Sequence, residues 1–193
     1  MKFIKWLEAI NMQNTKRRTL LGYGVGLLAS GAVTRVLAVD TEAATVSIEV
    51  FGADGTSQGL QQMQKVVKSE AEWKEQLEPL SFRVTRHEDT ERAFSGPYNS
   101  NHEDGLYRCI CCDTALYDSR TKFESGTGWP SFWTPISANN IEPIADNSLG
   151  MQRIAIACRL CDAHLGHVFN DGPEPTGLRY CMNSVALNFV ARA

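Results

Sequence analysis

Residues 106–117 read LYRCICCDTALY, in which two strand-like runs lie on either side of a Cys-x2-Cys turn. These runs are rich in apolar and aromatic residues, so the stretch predicts a β-hairpin whose tip holds Cys109 and Cys112. A second pair with the same spacing, Cys158 and Cys161, follows after 45 intervening residues. Two such turns indicate a small β domain tied together by its cysteines.

The rest of the carboxyl-terminal half also reads as strands. Residues 151–157 lead into the second cysteine turn. Further strands are expected within 167–169 and 178–190, separated by the turn-forming sequence Asp171-Gly172-Pro173. Helices and strands do not alternate along the chain, so a parallel, doubly wound sheet is not expected. The predicted fold class is mainly β and antiparallel.

Two short helices are predicted ahead of these strands. Ser69 and Glu72 have the spacing of a capping box, which predicts a helix over 69–77. Pro79 prevents this helix from continuing. A second short helix is expected around residues 82–84.

The two cysteine pairs supply the ligand set of a tetrahedral metal site. One ion bound by Cys109, Cys112, Cys158 and Cys161 would join loops that are far apart in the sequence and stabilise a small domain. Structural zinc (Zn2+) is favoured because it is redox-silent and accepts four sulfur ligands, and iron fits the same geometry.

Three alternatives to this metal site remain at the level of sequence. The cysteines of an exported protein can be buried or disulfide-bonded without any metal. A local site could combine Cys158 and Cys161 with His164 and His167, and Cys111 could replace a neighbour in the first turn.

Residues 1–38 contain the three parts of a bacterial export signal. They have a basic start with Lys16-Arg17-Arg18, an apolar stretch over 20–33, and short side chains at the exit in Val36-Leu37-Ala38. The segment resembles a twin-arginine signal, which directs the export of folded proteins. We therefore expect cleavage after residue 38 and a periplasmic or otherwise exported protein. An ordinary secretory signal or an uncleaved anchor would have similar parts.

Charge divides the chain and disfavours some functions. Residues 1–38 carry a net charge of +5 and residues 39–193 one of −8, against −3 for the whole chain of 193 residues. An acidic body does not favour binding to nucleic-acid phosphates, and no apolar run is long enough for a convincing membrane span. We expect a mobile extension at 39–60 and one folded domain at 61–193, without stable membrane insertion after signal removal.

One cysteine outside the two pairs, Cys181, lies in a strand-like run. By the two-residue period of a strand, Arg179 and Asn183 project from the same face as Cys181. A cation beside a thiol favours the thiolate, and an amide can hold a polar substrate. His164 and His167 can donate protons near neutral pH. Cys181 is therefore a candidate nucleophile, although a single buried cysteine is more often inert packing.

Three stretches, together with both cysteine turns, resemble the B-type methionine sulfoxide reductases. These stretches are SGTGWPSF at 125–132, HLGHVF at 164–169 and RYCMNS at 179–184. Weaker similarity runs from about residue 66 to residue 107, so the resemblance covers nearly the whole predicted domain. Several motifs in the same order are far more specific than one cysteine pair.

The resemblance implies two antiparallel sheets and a structural metal remote from the active site. It also implies that Cys181 attacks the sulfur of the R-epimer sulfoxide, releases methionine and becomes a sulfenic acid. The sulfoxide oxygen must be protonated or strongly hydrogen-bonded, and His164 and His167 are the candidates for this, directly or through a water.

Further roles follow from the same resemblance. Asp171 would orient or tune an imidazole, or else simply cap its turn. Arg179 would stabilise the thiolate, and Asn183 would fix substrate and water. Trp129 would offer an aromatic wall to the methyl group on sulfur, or else lie in the core, where Phe132 is expected.

The sequence also bears on how the enzyme is reset. Many family members carry a resolving cysteine between the two glycines before Trp-Pro, and this chain has Thr127 there. Cys111 is the only thiol outside the expected metal set apart from Cys181. Its place beside that set favours direct reduction of Cys181 by an external thiol, such as a thioredoxin-like periplasmic protein. The implied substrates are oxidised proteins or free methionine sulfoxide.

Two other functions fit part of the sequence. A metal-ribbon module that binds a protein partner without catalysis accounts for the cysteine turns, but it leaves the motif around Cys181 unexplained. A thiol–disulfide oxidoreductase would need Cys-x2-Cys turns that are metal-free and redox-active.

Overall fold

The computed structural model describes residues 44–192, which form eleven strands and two α-helices. The helices are α1 (Glu70–Gln76) and α2 (Pro79–His87). The strands, in chain order, are β1 (Thr45–Phe51), β2 (Ser57–Gln64), β3 (Gly105–Cys109), β4 (Ala115–Asp118), β5 (Lys122–Phe123), β6 (Ser131–Phe132), β7 (Ile141–Asp146), β8 (Arg153–Cys158), β9 (His164–Phe169), β10 (Arg179–Met182) and β11 (Leu187–Ala191).

The described strands form three sheets in which every pairing is antiparallel. The largest sheet has six strands in the order β5-β6-β10-β9-β8-β7, and the next has three in the order β11-β3-β4. The mainly β, antiparallel fold is therefore confirmed, and these are the two expected sheets. Strands β1 and β2 pair with each other in an additional hairpin.

Both helices form where the sequence predicts them. The Ser69 hydroxyl accepts the N–H of Glu72, and the Glu72 carboxylate accepts the N–H of Ser69 at 2.8 Å, so the capping box of α1 is present. Pro79 follows the short connection from α1 and is the first residue of α2, a position where its missing N–H costs nothing. Trp73 on α1 and Phe82 on α2 are buried, and α2 packs next to β9.

An aromatic cluster fills the space between the six-stranded and three-stranded sheets. The rings of Tyr107 on β3 and Tyr117 on β4 lie 5.0 and 4.4 Å from the ring of Phe132 on β6. All three are fully buried, so Phe132 is a core residue as expected. The Tyr117 hydroxyl donates to Met182 Sδ at 3.1 Å. Since alternate residues of a strand face opposite sides, Cys181 projects from the other face of β10.

Residues 45–64 form a hairpin, with one register shift between Glu49 and Phe51, where the sequence predicted a mobile extension at 39–60. The buried Asn140 side chain holds β1, since its Nδ2 donates to the Glu49 carbonyl at 2.8 Å and its Oδ1 accepts the Glu49 N–H at 2.9 Å. Ile48 is buried on the same strand. Tertiary contacts thus order a segment whose glycines suggested irregular chain, which corrects that expectation for the described part.

The expected export signal at 1–38 lies outside the described residues. Within residues 44–192, neither helix has the length and apolar character that a membrane crossing requires.

Candidate active site and metal site

The two Cys-x2-Cys turns have the same backbone geometry. The first joins β3 to β4 and the second joins β8 to β9. In each turn the N–H of the following aspartate, Asp113 or Asp162, donates to the carbonyl of the first cysteine, Cys109 or Cys158, at 2.9 Å. Both aspartates have left-handed φ angles, 61° and 57°, which Asp tolerates better than most residues. Each turn therefore closes tightly and presents two thiols together.

Four thiols converge between these turns. The Sγ atoms of Cys109, Cys112, Cys158 and Cys161 all lie within 4.8 Å of one another. The Sγ–Sγ distances across the turns are 3.6 Å from Cys109 to Cys161 and 3.5 Å from Cys112 to Cys158. Zinc–sulfur bonds of about 2.3 Å in a tetrahedron would place sulfurs about 3.8 Å apart, so the donor set fits a four-sulfur ion. A disulfide needs about 2.05 Å, and all six cysteines of residues 44–192 are free.

This candidate metal site joins the two main sheets. Its first turn belongs to the three-stranded sheet and its second turn to the six-stranded sheet. The segment after β2 covers the second turn, where the Val66 N–H donates to the Leu160 carbonyl at 2.9 Å and Lys65 pairs with Asp162. An ion bound here would act as a cross-link between layers of the fold.

Cys181 lies well inside the six-stranded sheet, on β10. The strand register pairs it with His167 on β9 and with Ser131 on β6. Directly opposite residues share a face of the sheet, so the half-buried thiol has an imidazole on one side and a hydroxyl on the other. Arg179 lies two residues earlier on the same face, as the sequence predicts.

The environment of Cys181 opposes its ionisation in one way and supports it in three others. Burial raises the pKa of the thiol, whereas Thr127, Arg179 and Ser131 lower it. The Thr127 hydroxyl oxygen lies 3.9 Å from the sulfur. Because burial has the largest effect, the resting group is a thiol at neutral pH, with groups in place that favour a negative sulfur.

Arg179 is held by a bidentate ion pair with Asp171. Its Nε and Nη2 donate to the two carboxylate oxygens at 2.9 and 2.8 Å, and its guanidinium lies 4.5 Å from the centre of the Phe169 ring. The pair raises the pKa of Arg179 and lowers the pKa of Asp171. Asp171 is thus the partner of Arg179 rather than of an imidazole, because the connection between β9 and β10 brings these two side chains together. This corrects the expectation from the sequence.

The carboxylate beside His167 comes from Asp146, at the end of β7. Asp146 Oδ2 lies 2.8 Å from His167 Nε2 and 2.7 Å from a guanidinium nitrogen of Arg153. Hydrogen bonds from Ser148 and then from His167 hold the pKa of Asp146 far below its usual value. Burial lowers the pKa of His167, so the ring is neutral at neutral pH. An ionised acceptor at Nε2 places the ring proton there and leaves Nδ1 as an acceptor.

A β-bulge places His164 beside His167. Residues three apart in a regular strand point to opposite faces, but the β8–β9 register shifts by one residue between Ile156 and Ala157. The two imidazole centroids are 5.3 Å apart. His164 is 5% exposed, and within residues 44–192 its Nε2 has no hydrogen-bond partner. Burial lowers the pKa of His164 to about 4, so this ring too is neutral at neutral pH.

Asn183 and Trp129 are both positioned by Glu91, a residue that the sequence did not single out. Asn183 Oδ1 accepts the Glu91 N–H at 3.0 Å, and its Nδ2 donates to the Leu165 carbonyl at 3.1 Å. Trp129 Nε1 donates to the Glu91 carbonyl at 3.1 Å. The Glu91 carboxylate is 2% exposed and accepts two backbone N–H groups just after Asn183, at 2.7 and 3.0 Å. Both ends of the Asn183 amide therefore bind backbone, and a substrate contact for Asn183 or Trp129 stays a prediction.

Comparison with known proteins agrees with this site. A family model described as the SelR domain matches residues 77–191. The peptide methionine sulfoxide reductase MsrB of Pseudomonas fluorescens is 56% identical over 130 residues, which cover 67% of this chain and 99% of that protein. The enzyme of the same name from Herminiimonas arsenicoxydans is 52% identical over 128 residues, 66% of this chain and 93% of its own length. The chain belongs to the SelR family, the B-type methionine sulfoxide reductases.

The SelR match includes the four metal-site cysteines and every candidate active-site residue, and it begins after the β1–β2 hairpin. In this B-type reductase, the side chain at position 127 lies beside Cys181, with its hydroxyl oxygen 3.9 Å from the sulfur. A threonine hydroxyl occupies that place. Cys111 is 5% exposed beside the metal site, and Gln76 Nε2 on α1 donates to its carbonyl at 2.8 Å.

Proposed function

We propose that this B-type reductase reduces the R epimer of methionine sulfoxide, in oxidised proteins or as the free amino acid, with Cys181 as its nucleophile. Membership of the SelR family and the names of the relatives support methionine sulfoxide reduction. The observation that carries the role of Cys181 is its place on the sheet. It is a half-buried thiol directly opposite His167 and on the same face as Arg179, outside the four-cysteine cluster.

The first step transfers oxygen from the substrate to the enzyme. Cys181 Sγ attacks the sulfoxide sulfur and forms a sulfur–sulfur bond, while the sulfoxide oxygen takes up the proton of the thiol. The hydroxyl group so formed then passes from the substrate sulfur to Cys181 Sγ, which breaks both the sulfur–oxygen bond of the substrate and the sulfur–sulfur bond. Methionine leaves and Cys181 becomes a sulfenic acid, so the substrate sulfur gains the two electrons that Cys181 loses.

His167 moves the proton in this step. Its Nδ1 accepts the thiol proton, because Nε2 is bonded to Asp146, and the resulting imidazolium donates that proton to the sulfoxide oxygen. Arg179 and Thr127 stabilise the thiolate in the interval. The unpartnered Nε2 of His164 supports a second hydrogen bond to the same oxygen, directly or through a water.

Trp129 provides the selection between epimers. Its indole is fixed by the Glu91 carbonyl and offers an aromatic wall that a methyl group on sulfur favours. Exchanging the methyl group and the oxygen at sulfur gives the S epimer, which would place the oxygen against the indole and away from the imidazoles.

An external thiol resets the enzyme. A first thiol displaces water from the Cys181 sulfenic acid to give a mixed disulfide, and a second thiol releases Cys181. A thioredoxin-like protein is the proposed reductant. The burial of Cys111 and the threonine at position 127 support direct reduction.

Two further parts of the proposal concern the metal and the location. One structural Zn2+ bound by Cys109, Cys112, Cys158 and Cys161 would hold the fold, and it supplies no step of the reaction. The signal-like composition of residues 1–38 supports twin-arginine export to the periplasm, where oxidised envelope proteins would be the substrates. Elemental analysis tests the metal, and amino-terminal sequencing of exported protein tests cleavage after residue 38.

The activity is tested with R and S methionine sulfoxide and dithiothreitol. Wild-type protein is expected to release methionine from the R epimer alone, and Cys181→Ser to release none. Cys111→Ser is the matched control, and it is expected to retain repeated turnover with thioredoxin. Undiminished reduction by Cys181→Ser would refute the mechanism, and reduction of the S epimer alone would refute the assigned specificity.

A further inference from the structure

Three hydroxyl groups form a continuous chain next to the nucleophile, which we call the hydroxyl chain. Thr127 Oγ1 lies 3.9 Å from Cys181 Sγ and 2.8 Å from Ser125 Oγ. Ser125 Oγ lies 2.8 Å from Ser131 Oγ, and Ser131 Oγ donates to the Trp129 carbonyl at 3.2 Å. Of these three hydroxyl residues, the proposed mechanism gives a role to Thr127 alone.

The loop before β6 brings these side chains together. Gly126 and Gly128 have φ angles of 71° and 91°, which favour glycine and let the loop fold back on itself. The Thr127 N–H also points to Ser125 Oγ, at 3.4 Å. Ser131 then begins β6, directly opposite Cys181.

Counting protons gives the direction of each hydrogen bond when Cys181 is a neutral thiol. A hydroxyl has one proton and a carbonyl has none. Ser131 uses its proton on the Trp129 carbonyl, so Ser125 donates to Ser131 and Thr127 donates to Ser125. The Thr127 oxygen is then an acceptor that faces the sulfur. It receives the S–H of the resting thiol, until the S–H turns toward His167 and the proton is transferred.

The opposite direction holds when Cys181 is a thiolate. The sulfur is then only an acceptor, so Thr127 donates to it, Ser125 donates to Thr127, and Ser131 donates to Ser125. Each change is a rotation of one hydroxyl about its C–O bond, and no proton passes between residues. Hydrogen bonds to an ionised acceptor are stronger than neutral ones, and bonds in a chain polarise one another.

We propose that the hydroxyl chain reverses its direction when Cys181 ionises and so stabilises the thiolate, with Ser125 as a positioning residue that acts through Thr127. The inference rests on the proposed role of Cys181 as the nucleophile. It gives a function to the threonine at the position where many family members carry a resolving cysteine. The hydrogen bond of Thr127, which lowers the Cys181 pKa against the effect of burial, agrees with it.

The test measures the ionisation of Cys181 without substrate or reductant. The rate of its alkylation by iodoacetamide is followed against pH by mass spectrometry of the peptide that contains it. Thr127→Val removes the hydroxyl and keeps the branched shape. The midpoint of the profile is therefore expected to rise by about one pH unit, which makes the thiolate fraction at pH 7 about tenfold smaller. Thr127→Ser is expected to keep the wild-type midpoint. Thr90→Val, at an exposed threonine outside the chain, is the matched control.

Ser125→Ala tests the chain rather than the single contact. Its midpoint is expected to rise by about a third as much as that of Thr127→Val. An unchanged midpoint in Thr127→Val overturns the proposal, and so does an unchanged midpoint in Ser125→Ala, because Thr127 would then act alone. Circular dichroism and metal content establish folding of each variant, and Thr127→Ala replaces Thr127→Val if the latter fails to fold.

The same experiment separates this inference from the proposed function. Alkylation requires no sulfoxide, so the midpoints are defined whether or not the protein is a reductase. If the midpoints shift as expected but wild-type protein leaves R methionine sulfoxide unreduced, the proposed function fails and the hydroxyl chain stands.

Discussion

The buried histidine His164 is expected to make the fold lose stability in mild acid. Its pKa is about 4 in the folded chain, against an ordinary value of 6.5, because burial disfavours the imidazolium. The unfolded chain therefore binds this proton first as the pH falls. The stabilising effect of a neutral His164 is complete above pH 6.5, declines as the pH falls through the window from 6.5 to 4, and is absent below it.

The magnitude follows from the size of this pKa difference. One pKa unit corresponds to about 1.4 kcal/mol, so the whole window contributes about 3 kcal/mol to the free energy of unfolding. Between pH 7 and pH 5 the expected loss is about 2 kcal/mol. His167 lowers the pKa of His164 further, whereas Asp146 opposes the shift.

Urea unfolding of wild-type protein and His164→Gln, followed by tryptophan fluorescence at pH 7 and pH 5, measures this loss. Groups other than His164 change protonation in both proteins, so the measurement compares how much stability each protein loses between the two pH values. His102→Gln, at an exposed histidine, is the control and should lose as much as wild type. If His164→Gln also loses as much stability as wild type between the two pH values, the reasoning from a buried neutral imidazole is refuted.

Three other changes test the site. Asp146→Ala removes the acceptor that fixes the His167 tautomer, so kcat for the R sulfoxide should fall at least about tenfold with little change in KM. Steady-state kinetics measure both constants, and an unaltered kcat would contradict this expectation. Thr127→Cys should form a disulfide with Cys181 after one equivalent of sulfoxide, seen as a linked peptide in mass spectrometry, because the residue at 127 already contacts the sulfur. Cys109→Ser should lose the metal and several kcal/mol of unfolding free energy, whereas Cys111→Ser should retain both.

Local sequence patterns predicted the elements that depend on near neighbours. The capping box of Ser69 and Glu72, the two cysteine hairpins and the shared face of Arg179 and Cys181 each follow from spacing alone. The clustering of four thiols also followed, because the two turns repeat one motif and a single ion satisfies both.

Long-range pairing accounts for what the sequence did not reveal. Asp146 meets His167 only because β7 pairs with β8 and β8 with β9, and a register of this kind leaves no mark on the residues around Asp146. Glu91 lies in a polar run that reads as surface, and its role depends on backbone groups more than ninety residues away. The β1–β2 hairpin likewise depends on Asn140, which is distant in sequence.

The placement of the two cysteine turns on different sheets has a consequence for the cell. If these thiols bind an ion as proposed, a chain that has not acquired it would lack the tie between its two layers, and the number of folded copies would follow the supply of metal as well as the rate of synthesis. A strong chelator would then deplete newly made protein first and spare molecules already closed around their ion.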